Sequence, residues 1–144
     1  MPTISLPESR LSEPFAALVA SDVMVEHCCV RRAGEPVAAA FELLQRSHLR
    51  HIVVCNEQEH VVGVVDDRRL ARVLGRMSWD ELSQPLSRYM DRAVCRAVAT
   101  DSLKHVARLL ESSSSDAVVI TDASGHLVGL VTPAEIVRAV AHRP

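Results

Sequence analysis

Apolar residues recur along this chain with two different periods. In residues 36–48 (PVAAAFELLQRSH), Val37, Ala40, Phe41 and Leu44 fall at i, i+3, i+4 and i+7, the stripe of an amphipathic helix, and Pro36 suits its first turn. Residues 103–112 (LKHVARLLES) repeat the stripe at Leu103, Val106, Ala107 and Leu110, with Asp101 placed to cap it. Elsewhere the pattern is one of short runs. The aliphatic stretches 52–55 and 61–65 enclose the polar turn NEQEH, and 117–121 and 127–131 enclose DASGH. Short β-branched runs divided by turn residues predict the two strands of a hairpin. A closing helix is expected after each hairpin, over 67–74 and 133–141, and a short extended piece before each long helix, at 28–30 and 94–97. Each half then runs β-α-β-β-α.

The halves are copies of one unit. Met24 aligns with Met90 at an offset of 66, which also carries Leu43-Leu44 onto Leu109-Leu110 and HVVGVV at 60–65 onto HLVGLV at 126–131. Between residues 22 and 74, 12 of 53 positions are identical to their partners at +66 without a gap, and ten others exchange one aliphatic residue for another. Such self-similarity marks a duplicated structural unit. It divides the chain into an N-terminal helical segment over 1–20, a first repeat over 21–76, a linker helix over 77–87 and a second repeat over 88–144. In the linker, Ser78 and Glu81 have capping-box spacing, and Trp79 and Leu82 are available to pin the helix down. Ser12 and Pro14 open a short helix over 12–20. A unit this small cannot bury its sheet face alone, so the two are expected to pack through those faces.

Composition narrows the functional classes. The 144 residues suit one compact domain or two small repeats. Sixteen basic residues against 18 acidic ones, a formal charge of −2, supply no electrostatic footprint for nucleic acid or an anionic membrane. The aromatics Phe15, Phe41, Trp79 and Tyr89 do not make a base-stacking platform. Cysteines at 28, 29, 55 and 95 lack C-x-x-C spacing, and reduced thiols in a cytoplasmic protein are expected. The first 20 residues lack a basic n-region, so no signal peptide is expected, and no apolar run has the length of a membrane span.

The order of motifs carries a resemblance. Each copy begins with Asp22-Val23-Met24 or Arg88-Tyr89-Met90. A short strand, a helix and an aliphatic hairpin ending in Gly63-Val64-Val65 or Gly129-Leu130-Val131 come next, and then a closing helix. Repeated at constant offset over about residues 20–142, this resembles a tandem pair of CBS domains, the Bateman module. The resemblance implies an α/β fold of two β-α-β-β-α repeats packed through their sheets with pseudo-twofold symmetry. It implies a regulatory protein and not an enzyme. Such a protein binds an adenosine-containing ligand, AMP, ADP, ATP or S-adenosylmethionine, requires no cofactor, forms a homodimer, and modulates a partner enzyme, channel or transporter.

The resemblance also implies a site. In the family, Gly-h-h-Ser/Thr-x-x-Asp comes after the hairpin, and its carboxylate accepts both vicinal ribose hydroxyls in charge-assisted bonds. The second copy reads Gly129-Leu130-Val131-Thr132-Pro133-Ala134-Glu135, where Thr132 matches and Glu135 is a longer carboxylate. The first copy has Asp66 and Arg69 at the key positions, and Arg69 cannot accept a hydroxyl proton. The family's phosphate-reaching cations precede the second strand of the opposite repeat, where this chain has Arg50-His51 in the first copy and Asp116-Ala117 in the second. The resemblance therefore implies one site of Thr132, Glu135, Arg50 and His51, with Arg68 as a third cation and Cys95 and Ala97 of the short strand as ligand-binding positions. The opposite site, with Asp66, Arg69, Asp116 and Ala117, is degenerate.

Each of these residues has a plainer reading. Thr132, Pro133 and Glu135 suit the first turn of a helix as cap, first residue and dipole partner. Arg50 and His51 suit a solvated connection, and Arg68 and Arg69 a solvated helix face. His27-Cys28-Cys29 invites a metal, but the spacing of a tetrahedral thiolate site is missing, and the equivalence of Cys29 and Cys95 suits core packing. The serine run 112–115 marks a turn. The competing function is a ligand-independent dimerisation or docking module whose nucleotide sites have decayed.

Overall fold

The computed structural model describes residues 14–76 and 78–141. The first repeat contains β1 (Cys29–Arg32), α1 (Val37–Ser47), β2 (His51–Cys55), β3 (Val61–Asp66) and α2 (Asp67–Leu74). The second contains β4 (Cys95–Val98), α3 (Leu103–Ser112), β5 (Val118–Thr121), β6 (Leu127–Val131) and α4 (Pro133–Ala141). Two three-stranded sheets result, ordered β1-β2-β3 and β4-β5-β6, each with a parallel first pair and an antiparallel second pair. Even the register shift recurs, between Val54 and Cys55 and between Ile120 and Thr121. The α/β class and the duplicated element order are those the residue pattern predicts.

Local details differ where caps and short segments decide them. The cap of α3 is Ser102 and not Asp101: the Ser102 hydroxyl accepts from the His105 N–H at 3.1 Å, while Asp101, one residue too early, accepts from the Val98 N–H. Pro36 is the N-cap of α1 and stands outside its first turn. Parallel pairing with β2 carries β1 through Arg32, so it starts and ends later than expected, and β4 shifts likewise against β5. The 77–87 linker forms 3₁₀ turns at Trp79–Ser83 and Leu86–Arg88, and Ser78 makes no side-chain cap bond. Residues 14–22 also form 3₁₀ turns, Phe15–Ala17 and Ala20–Asp22, and no α-helix; Ser12 and the side chain of Trp79 lie outside the described residues.

The compact units do not follow the repeat boundaries. One unit is Cys28–Val94, and the other joins residues 14–27 to 95–141. Each edge strand that completes a hairpin is covered by the stretch preceding the other repeat's first strand. Val25 bridges Leu130 on β6 through two backbone bonds of 2.8 and 2.9 Å, and Asp91 bridges Val64 on β3 at 2.9 and 3.0 Å. An open edge presents unpaired N–H and C=O groups, and these bridges satisfy part of it. Behind them, Leu18, Ala20 and Val23 enter the core with Val118, Ile120 and Val131, while Leu86 and Met90 enter with Ile52, Val54 and Val65.

The same close approach fixes both bridges. A Cβ on Gly129 would lie 2.5 Å from Met24 Sδ and 3.0 Å from Met24 Cβ, and one on Gly63 would meet Met90 at the same distances. The two shortest contacts, 2.5 Å to Sδ and 2.7 Å to Cγ, belong to the part of the side chain that alanine lacks. Gly129→Ala should therefore cost about 1–3 kcal/mol, and Met24→Ala in the same chain should relieve most of that cost. Urea unfolding of the two single variants and the double variant measures the coupling.

The hairpin turns add a pH dependence on one side only. Asp122 Oδ1 accepts from the N–H groups of Ser124 and His126, and Asn56 Oδ1 makes the same pair of bonds to Gln58 and His60. The His126 backbone bond, opposed by partial desolvation and helped by Ser124, holds the Asp122 carboxyl below its usual value. A lowered folded-state value means stability that is complete above the unfolded carboxyl pKa, about 3.9, and is lost as pH falls through the lower folded value. Asp122→Asn should flatten this acid loss, read as the pH profile of thermal unfolding below about pH 4, because the Asn56 turn shows that an amide makes the same bonds.

Candidate functional site

The start of α4 is the most chemically organised point of the second unit. Strand β6 ends in the buried residues Gly129, Leu130 and Val131, which hands the chain to Thr132 at the sheet margin. Pro133 then fixes φ for the first helical position. Glu135, three residues past Thr132, turns back: its Oε1 accepts from the Thr132 N–H at 2.9 Å and from the Thr132 hydroxyl at 2.8 Å. This is the carboxylate half of a capping box. Glu135 is only 4% exposed, and its Oε2 faces Arg138 Nη1 at 3.9 Å. A carboxylate offers about four lone-pair sites. Oε1 is engaged twice, and Oε2 keeps capacity for further donors such as vicinal hydroxyls.

The corresponding point of the first unit is built differently. Asp66 caps α2, its Oδ1 accepting from the Arg69 N–H at 2.6 Å. Arg69, at the position of Glu135, sends its Nε to the Tyr89 carbonyl at 2.8 Å. A guanidinium therefore stands where the second unit keeps an acceptor.

The sequence-derived site residues fall into two sets. Thr132, Glu135, Cys95 and Ala97 belong to the second unit. Cys95 and Ala97 share a face of β4 at alternate positions, and the Ala97 methyl is buried in the core while Cys95 is half-buried against it. Arg50, His51 and Arg68 belong to the first unit. There the Asp67 N–H donates to the Arg50 carbonyl at 2.9 Å, His51 pairs with Asp66 across β2 and β3, and Arg50 Nε lies 3.6 Å from Asp67 Oδ2. His51 is buried, and Arg50 and Arg68 are exposed. Sequence reasoning missed Arg138, although its place three residues after Glu135 on a helix was a readable signal. Among the described residues no cluster of three or more His, Cys, Asp or Glu side chains is placed to hold a metal ion, and none of the four cysteines is in a disulfide. No helix among them is long and apolar enough to cross a membrane.

Family models decide the affiliation. The CBS-domain model matches twice, over residues 20–76 and 86–142. The chain belongs to the CBS-domain family. Solved structures agree on the fold of this CBS pair. The CBS domain pair of protein MJ0100, in complex with 5′-methylthioadenosine and S-adenosyl-L-methionine, superposes with a TM-score of 0.76 at 19% identity, covering 86% of this chain and 96% of that one. The structure of CBSX2 in complex with AMP gives 0.75 at 24% identity, covering 87% and 97%. Protein MJ1004 of Methanocaldococcus jannaschii gives 0.77 at 17% identity, and the matched region covers 86% of this chain but 60% of that one. A curated relative, homoserine O-acetyltransferase of Methanococcoides burtonii, is 24% identical over 120 residues, 83% of this chain and 24% of that protein. The CBS pair thus spans about a quarter of that relative's length.

The two hydrogen bonds accepted by Oε1 make Glu135 a structural residue as well as a candidate ligand residue. Glu135→Ala should lower stability by about 1 kcal/mol, whereas Glu135→Gln, whose amide oxygen can still accept from Thr132, should lose less than half of that. Thermal unfolding in the absence of ligand separates the two.

Proposed function

We propose that this CBS pair is a cytoplasmic regulatory protein, not an enzyme, that binds one adenosine-containing molecule per chain and transmits its presence to a partner enzyme, channel or transporter. The observation that carries the reading is the contrast between the two helix starts. The second unit keeps a hydroxyl and a buried carboxylate with a spare oxygen at Thr132 and Glu135, and the first has Asp66 and a guanidinium tied to Tyr89. Binding of adenosine compounds by two CBS pairs of the same fold supports it. Ribose hydroxyls donate to Glu135, and Arg50, His51 and Arg68 are kept as the cations for any phosphate, with Cys95 and Ala97 as further contacts. Regulation results if the ligand binds one arrangement of the protein more tightly than another, since only differential affinity shifts an equilibrium. Homodimerisation is part of the same proposal.

A second reading has its own observation. Val137 and Val140 on α4 are 65% and 55% exposed, and Glu135 is already satisfied in part by its own helix, features that suit a ligand-independent docking module.

Titration calorimetry with adenosine, AMP and S-adenosylmethionine separates the readings. A ligand of micromolar affinity has about 8 kcal/mol of binding energy, of which each charged hydrogen bond supplies roughly 1.5–3. Glu135→Ala should weaken adenosine and AMP alike by about tenfold or more, since about 1.4 kcal/mol is tenfold. Arg50→Ala should weaken AMP and spare adenosine, and Arg69→Ala should change neither. Absence of binding by the wild-type chain at millimolar ligand sinks the sensor in favour of the docking module. A stoichiometry of two equivalent sites removes the contrast on which the reading rests.

A further inference from the structure

The end of α2 opens on a cleft of about 240 Å³ whose walls are Arg72, Val73, Arg76, Glu81 and Tyr89, all within the first unit. Arg72 lies on the last turn of α2 and Arg76 in the turn two residues beyond its end, so two cations meet at one end of the helix. The helical arginine of this end is balanced in the second repeat. There the residue equivalent to Arg72 is Arg138, which faces Glu135; here the equivalent of Glu135 is Arg69, and the balancing carboxylate is gone. Arg69 is held by the Tyr89 carbonyl, which ties α2 to the Tyr89 wall. Of the other acids of this stretch, Asp66 caps α2, Asp67 faces Arg50 and Asp91 accepts from the Ala93 N–H, while Asp80, beside Glu81, is exposed and is not among the walls of the cleft. Among the described residues, the side chains of Arg72, Arg76 and Glu81 have no hydrogen-bond or ion-pair partner.

Two guanidinium groups and one carboxylate make a selective combination. Guanidinium forks match the oxygens of a tetrahedral oxyanion. An ionised carboxylate only accepts hydrogen bonds, so Glu81 repels a fully ionised oxyanion and binds one that retains an O–H. The volume lies below the range of about 300–1,000 Å³ typical of organic ligand pockets, which suits a small ion.

We propose that this cleft is a phosphate site, in which Arg72 and Arg76 donate to two phosphate oxygens and Glu81 accepts the phosphate O–H. Inorganic phosphate keeps a proton near neutrality and satisfies all three groups, whereas sulfate does not and sets a bare oxygen against Glu81. The site shares no residue with the adenosine reading and does not depend on it.

The test uses the full chain and two probes, inorganic phosphate and sulfate, titrated by calorimetry at equal ionic strength, with phosphorus NMR line width as a second readout. Phosphate should bind about tenfold or more tightly than sulfate, and Arg72→Ala and Arg76→Ala should each weaken it by about tenfold. Glu81→Gln supplies an amide donor, so it should bring the two anions to similar affinity by improving sulfate and weakening phosphate. These side chains are exposed, and the variants are expected to fold. Equal binding of the two anions by the wild type overturns the proposal, as does the absence of phosphate binding at millimolar concentration or unchanged affinity in both arginine variants.

Discussion

Among the described residues each sheet in this CBS pair has three strands, and one constraint arises from that: the outer edge of the third strand must be covered by chain from elsewhere. The cover is a short extended piece docked by a methionine over a glycine, Met24 on Gly129 and Met90 on Gly63. The glycine lets the backbones approach to hydrogen-bonding distance, and the methionine fills the space a side chain would have taken. The rest of each unit depends on this contact. It closes the core over Val131 or Val65, and it fixes the strand end from which α4 or α2 departs. The hydroxyl–carboxylate pair of Thr132 and Glu135 is thus positioned by a packing interaction a few residues earlier in the strand, between an uncharged thioether and a glycine backbone.

Duplication gave the two helix starts the same backbone setting, and substitution then gave them opposite chemistry. At the third helical position the second unit has an acceptor turned inward and the first a donor turned toward Tyr89. That single change also propagates one turn along the helix, because the arginine common to both copies is balanced in one and unbalanced in the other. A duplicated unit has in this way acquired two helix starts of different charge. Nothing in the sheets had to move to produce the difference.

Legibility in the sequence tracked the length scale of each interaction. Helices of eight or more residues and the two hairpins were written as periodicities, and the 66-residue offset disclosed the duplication without reference to any structure. Caps were ambiguous because Asp101 and Ser102 are adjacent and both can cap, and only backbone geometry chooses Ser102. The exchange of leading segments was not legible, since a 3₁₀ turn leading into a two-residue bridge has no period to detect. Of the candidate site, Thr132 and Glu135 were recognisable through the resemblance to the CBS signature, and their competing role in starting α4 through their spacing. The cleft at Arg72 was hidden because its walls meet only after the chain has turned back between Arg76 and Tyr89.

The exchanged cover also sets the order in which the molecule can be completed as it is made. Unit Cys28–Val94 holds a continuous run of chain, so every contact it needs is present once residue 94 is outside the ribosome. The other unit begins with residues 14–27, and Val25 must wait for Leu130, 130 − 25 = 105 residues later. Such distant pairing is slow to form because a long loop must close before any contact rewards it. During synthesis, then, residues 14–27 leave the ribosome before the first unit yet find their place after it, and Leu18, Ala20 and Val23 wait for a core that is still being made.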